Sequence, residues 1–241
     1  MKAPTRQLLA ATLLGLSLGA VLVFASHIVY QRNVEQARET TARKSQQAAY
    51  QIELLVSARF GVGQYLQQLW RDGGISTEQQ FRRHARALLG TYSGIRYISR
   101  LDADGRFTWI EPETIGGDLL GGALRDDPGA RETYDYVSGG GATGASPPYD
   151  FPGGANGFVN LSPLDAAGRR AGYINVAFHT APIIDRALGE GITNRFRVEV
   201  RYGGRLIHAA GVAADRAATS VSAATDVHVL GREWAVTLRP S

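Results

Sequence analysis

"RYISRLDADGRFTWIEP", residues 96–112, is the stretch on which the fold turns. Apolar and polar residues alternate on both sides of Asp102-Ala103-Asp104-Gly105, as in two half-buried strands joined by a tight turn. A two-residue loop would set Leu101 opposite Arg106 and place a core side chain against a solvated one. A three-residue loop, Ala103 to Gly105 with the glycine left-handed, instead pairs Leu101 with Phe107 and Ser99 with Trp109. Ile95, Tyr97, Leu101, Phe107 and Trp109 then share one face, and Arg96, Arg100, Arg106 and Thr108 the other.

Three more hairpins follow. "NLSPLDAAGRRAGYINVAF", 160–178, repeats the Asp-x-x-Gly-Arg turn and buries Ile174, Val176 and Phe178. "VEVRYGGRLIHAA", 198–210, carries Gly203-Gly204, suited to a type I′ turn that sets Val200 against Ile207 and Val198 against Ala209. "VHVLGREWAVTL", 227–238, has Gly231-Arg232 in type II′ position, placing Val229 opposite Trp234 and Val227 opposite Val236. Four such ribbons predict one common, mainly antiparallel sheet flanked by helices, an α+β arrangement.

The helices are also signalled. Ser76 and Gln79 fit a capping box before the stripe Phe81, Ala85, Leu88, and Gly90 suits a left-handed stop. Asp126-Asp127 before Pro128 reads as an N-cap, and Pro182 opens a short helix that Gly189 closes. Residues 31–70 lack proline, and their first glycine is Gly61. Val34, Thr41, Ala48, Leu55 and Val62 recur every seven residues there, so this helix either pairs in a homodimer or packs on its own domain.

Upstream, Leu8 to Tyr30 runs 23 residues without an acid, Lys or Arg, enough for a helix to cross about 30 Å of hydrocarbon. A cleaved leader ending near Ala25 is the alternative, but the run is long for one and passes straight into helix-compatible sequence. Lys2 and Arg6 precede the span, whereas Arg32, Arg38, Arg43 and Lys44 follow it, so charge alone does not place the N-terminus inside.

The 241 residues contain no cysteine, which removes disulfides, thiolate metal sites and cysteine nucleophiles. The net charge of +4 is scattered, without the basic stripe of a nucleic-acid surface. None of the five histidines stands at metal-ligand spacing from another ligand. No nucleophile, base and orienter set is recognisable, so no catalytic residue, metal ligand or cofactor is assigned. A hydrolase would have only Ser146 and scattered acids in its favour. Residues 138–157, "SGGGATGASPPYDFPGGANG", are too irregular for a strand or helix and read as a loop over a pocket or a plain surface loop.

The order "GIRYISRLDADGRFTWIEP", "LRDDPGARETYDYVSGGGATGAS", "GFVNLSPLDAAGRRAGYINVAFHTAPIID" resembles the CHASE family, extracytoplasmic sensory domains of membrane-bound histidine kinases and diguanylate cyclases. Asp102, Gly105 and Pro112 carry the first part of the likeness; Pro163, Gly168, Gly172, Tyr173 and Ile174 carry the later part. The terminal "VLGREWAVTLRPS" is similar to the strand that leads such receptors into a second span. Where many relatives carry Asn and one glycine after the proline, this chain reads Ile115-Gly116-Gly117.

The resemblance implies a cytoplasmic tail (1–7), a transmembrane helix (8–30), a membrane-proximal helix (31–70) and a PAS-like sensory domain (71–241). The chain would be a single-pass inner-membrane protein whose sensory domain faces the periplasm, with no output domain in these residues. A small-molecule or peptide ligand would sit in the sheet concavity under the Gly/Pro-rich loop. Residues near the hairpin ends and that loop are the candidates: Arg96, Tyr97, Trp109, Tyr149, Phe151 and Asn160, aromatics with a few polar anchors. Tyr97 and Trp109 would otherwise be plain core.

Overall fold

The computed structural model describes residues 4–166, 168–212 and 221–241, with side chains described from residue 16. One helix, α1, runs unbroken through Pro4–Arg71, about 100 Å at 1.5 Å per residue. It is followed by α2 (Glu78–Thr91), β1 (Ile95–Leu101), β2 (Phe107–Glu111) and α3 (Glu113–Gly116). After a 3₁₀ turn at Leu124–Asp126 come α4 (Arg131–Ser138), β3 (Gly144–Ala145), β4 (Tyr149–Asp150), β5 (Asn156–Ala166) and β6 (Arg169–His179). The chain ends with α5 (Thr180–Thr193), β7 (Phe196–Tyr202), β8 (Arg205–Ala210), β9 (Ala223–Val229) and β10 (Arg232–Pro240).

The four hairpins form, but they do not join a common sheet. The first two build one antiparallel sheet in the order β2-β1-β6-β5-β3, with β4 also on β5; the last two build a second, β8-β7-β10-β9. Helix α5 carries the chain from one to the other, and both sheets lay an apolar face on α1. Ser45 hydrogen-bonds Thr225 Oγ1 (2.8 Å) and donates to the Val236 carbonyl (3.2 Å) in the second sheet. Further along, Gln67 Nε2 donates to the Pro163 carbonyl (2.7 Å) in the first. A helix this long offers two docking stretches, so each pair of hairpins buries its own apolar face without a shared edge.

Part of the seven-residue repeat of α1 is buried within the chain. Thr41, Ala48 and Val62 of the seven-residue repeat are buried, as are Ile52 and Leu66. That stripe packs against the two sheets. Upstream, Leu16, Leu18, Val21, Leu22, Val23, Phe24, Val29 and Tyr30 are exposed, each by more than half. The expected span 8–30 begins among side chains outside the described residues; among the described residues no helix is long and apolar enough to cross a membrane.

Local signals landed close, with shifts that have local causes. The capping box of α2 is Thr77 with Gln80, one residue later than Ser76 with Gln79, and the helix passes Gly90. Helix α4 starts at Arg131 rather than at Pro128, because Asp127 turns onto Gly129 N (3.0 Å) first. In the last hairpin Leu230 and Gly231 both have positive φ, so the turn is I′-like and Val229 faces Arg232, with Trp234 opposite Val227. In the third, Gly203-Gly204 turn as expected, but a bulge beyond Arg201 moves Val200 opposite His208 and Val198 opposite Ala210. Helix α5 continues past Gly189, which kinks it at φ 60°. The turn of the second hairpin includes Ala167, which lies outside the described residues.

Candidate functional site

Both faces of the first sheet are covered. Ile98, Phe158, Ile174, Val176 and Phe178 point to α1, α2 and α5. Tyr97, Leu101, Phe107, Val159, Leu161, Tyr173 and Ala177 point the other way, toward the segment 110–137 and the Gly/Pro-rich loop. A cavity of about 710 Å³ opens on this second face. Its wall comes from β1 and β2 (Arg96, Tyr97, Phe107), the 113–128 segment (Ile115, Asp118, Leu119, Asp126, Asp127) and the loop residues Phe151, Pro152 and Gly153.

Two bulges decide which side chains reach it. Pairing of β1 with β6 slips between Ile95 and Tyr97, so Arg96 is the extra residue, turned toward the cavity with Tyr97. Its guanidinium lies over the Phe151 ring, 4.8 Å from the centroid, and donates to the Pro152 carbonyl (3.1 Å). The second bulge lies between Arg100 and Leu101, opposite which Thr108 of β2 is the extra residue. Leu101 faces Phe107 as expected, but Arg100 faces Trp109 and Ser99 faces Ile110.

Trp109 therefore leaves the cavity face. It packs against Trp70 (6.2 Å between ring centroids) and Phe81 (5.6 Å). Arg100 is held between Trp109 and Trp70, 4.8 and 5.2 Å from the two rings, and donates to Thr108 Oγ1 and the Ala171 carbonyl. Asn160 is also on the far side: its amide donates to the Gly144 carbonyl (3.2 Å) and its Oδ1 lies against Gly63 of α1. Of the six expected residues, Arg96, Tyr97 and Phe151 line one cavity. Tyr149 stands just behind it, edge-on to Phe151 at 4.9 Å, while Trp109 and Asn160 belong to the helix side.

Tyr149 Oη donates to Asp127 Oδ2 (2.8 Å) while Asp127 Oδ1 accepts from Gly129 N (3.0 Å), so this carboxylate is fixed at the cavity wall and, among the described residues, forms no ion pair. Burial, and then the Asp127 charge, hold the Tyr149 hydroxyl well above the usual phenol range. Burial pushes the Tyr97 hydroxyl up to about 12, with Asn175 pulling the other way. Behind Phe151, His179 is depressed by burial and by the Arg96 charge.

The sequence reading missed the 113–128 wall. The paired acids Asp126-Asp127 were visible, but a capping role accounted for them equally well. Ser146 is 1% exposed; its Oγ accepts from Val159 N (2.9 Å) and donates to the Pro147 carbonyl (2.9 Å). The hydroxyl is committed to the loop's anchorage, which takes away the main support for a hydrolase. Among the described residues no group of three or more His, Asp or Glu is placed to hold a metal ion.

No family model matches the chain, and neither does any curated protein. Solved structures do. The ligand-binding domain of the Pseudomonas aeruginosa PAO1 amino acid chemoreceptor PctB, in complex with L-Arg, is 17% identical. It gives a TM-score of 0.59 over 86% of this chain and 96% of that one. A domain of a sensory box/GGDEF family protein from Vibrio parahaemolyticus gives 0.60 at 12% identity, over 87% and 97%. The extracellular domain of the histidine kinase vpHK1S-Z8 gives 0.60 at 11% identity, over 88% and 93%. The fold is thus that of ligand-binding and sensor domains of receptors.

Proposed function

We propose that this chain is the ligand-sensing part of a membrane-anchored signal-transduction receptor of CHASE type, acting by binding and not by catalysis. The observation that carries the reading is the cavity between the first sheet and the 149–153 loop, where Arg96 and three aspartates, Asp118, Asp126 and Asp127, stand among aromatic and aliphatic residues. Aromatic and aliphatic surface with convergent polar groups to orient a ligand is what a small-molecule site requires. The neighbours of the same fold include a chemoreceptor domain holding an amino acid, which supports a small ligand over a peptide.

The exposed apolar stretch Leu16–Tyr30 continues directly into the helix that both sheets pack on. In our reading residues 8–30 span the inner membrane, 1–7 stay in the cytoplasm and the sheets face the periplasm. Ligand capture closes the loop, moves the first sheet on α1 and so biases the helix entering the membrane. Such coupling requires a ligand with different affinity for two arrangements of that helix. A second copy pairs along the face of α1 that the sheets leave open, where Tyr50, Leu54 and Tyr65 are exposed by 64%, 58% and 47%.

The test is thermal melting of the purified chain against a broad metabolite panel, with Arg96→Ala and Phe151→Ala alongside. Stabilisation by at least one compound, lost in both variants, is the expected result. Melting unchanged across the panel would favour a purely structural module.

A further inference from the structure

The ligand-sensing reading leaves open what the cavity selects, and its wall charges are unequal. Asp118, Asp126 and Asp127 line it against a single guanidinium, Arg96. Arg106 and Arg125 are close in sequence but are not part of the lining, and Arg106 donates to the Gly121 carbonyl (3.0 Å).

These four groups are not interchangeable. Asp127 cannot swing away, since both its oxygens are engaged by neutral donors, Gly129 N and Tyr149 Oη. Neutral donors orient the carboxylate and leave its charge uncompensated. Arg96 spends one N–H on the Pro152 carbonyl and stacks on Phe151, which keeps the remaining N–H groups in a fixed plane able to receive one carboxylate. Phe107, Ile115 and Leu119 supply apolar surface for a methylene chain.

A ligand with one ammonium and one carboxylate would satisfy Arg96 and one acid, leaving two acids facing the site uncompensated. A monoanion would be repelled by the sum. We infer that the cavity selects ligands with more positive than negative charge, a diamine or a diamino acid being the class that fits. Field lines focused in a cleft of one sign also raise the local concentration of such ligands. This inference rests on the ligand-sensing reading and sharpens it.

The experiment is calorimetric titration of the full chain in detergent with 1,5-diaminopentane, L-lysine, L-leucine and L-glutamate, each at low and high NaCl. The two cationic probes are expected to bind at least about tenfold tighter than the other two, and the preference to shrink as salt screens the acids. Asp118→Asn combined with Asp126→Asn, both exposed and so neutral toward folding, should abolish the preference for the cationic probes over L-leucine. Asp127→Asn should act in the same direction. If L-leucine or L-glutamate binds as tightly as the cations, the charge assignment is overturned and the sensor reading stands. Binding of none of the four overturns the assignment as well, and the sensor reading is then decided by the wider panel.

Discussion

Arg205, the first residue of β8 in the second sheet, reaches Asp150 in the loop of the first: its Nη1 lies 3.2 and 3.1 Å from the two carboxylate oxygens. Its Nη2 donates to the Pro148 carbonyl at 2.6 Å. Phe151, Pro152 and Gly153, which line the cavity, follow directly on this anchored stretch. One side chain thus ties the covering loop to the sheet that carries the C-terminal strand β10. It joins two units that also share α1 and α5 as common supports.

Loss of that tie should loosen the loop without unfolding the protein. In Arg205→Ala, hydrogen exchange of amides 149–153 is expected to rise with little change in melting temperature, because solvent-exposed ion pairs contribute little to global stability. A large fall in melting temperature would show that Arg205 is a structural brace instead.

The Arg100 sandwich predicts a division between stability and binding. Trp109→Ala removes one wall of the sandwich and its packing on Phe81, and should destabilise by about 3 kcal/mol in denaturant titration. Arg100→Lys keeps the charge but not the planar stack and should cost about 1 kcal/mol. Neither change should alter ligand affinity, since neither residue faces the cavity. A loss of affinity in Trp109→Ala at temperatures where the protein stays folded would contradict that placement.

Two glycines on one helix should respond in opposite senses to alanine. At Gly61 a Cβ meets nothing within 4 Å, so Gly61→Ala should stabilise by about 0.5–1 kcal/mol through helix propensity. At Gly63 the same Cβ would overlap Asn160 Oδ1 and come within 3.0 Å of Ser162 Oγ. Gly63→Ala should therefore destabilise by about 1–3 kcal/mol, and Asn160→Ala in the same chain should recover part of it. Equal effects at the two positions would mean that α1 does not approach β5 this closely.

Alkaline pH should weaken the fold through Tyr97. Its hydroxyl has a folded-state pKa of about 12, raised from 10.0 by burial. The proton is thus held more tightly in the folded state, and the associated stability is complete below pH 10 and lost between about pH 10 and 12. Melting temperature measured across that window should fall more steeply for the wild type than for Tyr97→Phe. Parallel curves would show that Tyr97 ionises as freely as in the unfolded chain, although Tyr149, raised in the same direction, contributes to both.

Much of this was legible at the level of single turns. Gly105, Gly168 and Gly203 all have positive φ and sit in hairpin turns where the sequence placed them, because a left-handed residue is a local requirement that glycine meets without a Cβ clash; Gly231 is left-handed too, but as the second residue of a Leu230-Gly231 turn. Leu101 opposite Phe107 followed from that same local geometry. Trp109 was misplaced because the bulge between Arg100 and Leu101 has no comparable residue signature. It is held by what lies on each side, Phe107 over the cavity and Trp109 under Trp70. The wall at 113–128 has no periodicity at all, and periodicity is what a sequence reading detects.

By itself, the sequence determined the ribbons, the capped helix before them and the long helix that precedes both. Each depends on residues within a few positions of one another, whose dihedral preferences act before any distant contact forms. Tertiary structure alone decided that the ribbons divide into two sheets, that Arg96 turns to the cavity while Asn160 turns to α1, and that Gly129 N and Tyr149 Oη fix Asp127 at the wall. Those outcomes rest on partners far apart in the chain, such as Ile98 with Val176 and Ser45 with Thr225, and on which buried face each strand can fill. Alternation along a strand states that two faces exist, and only packing assigns what lies against each.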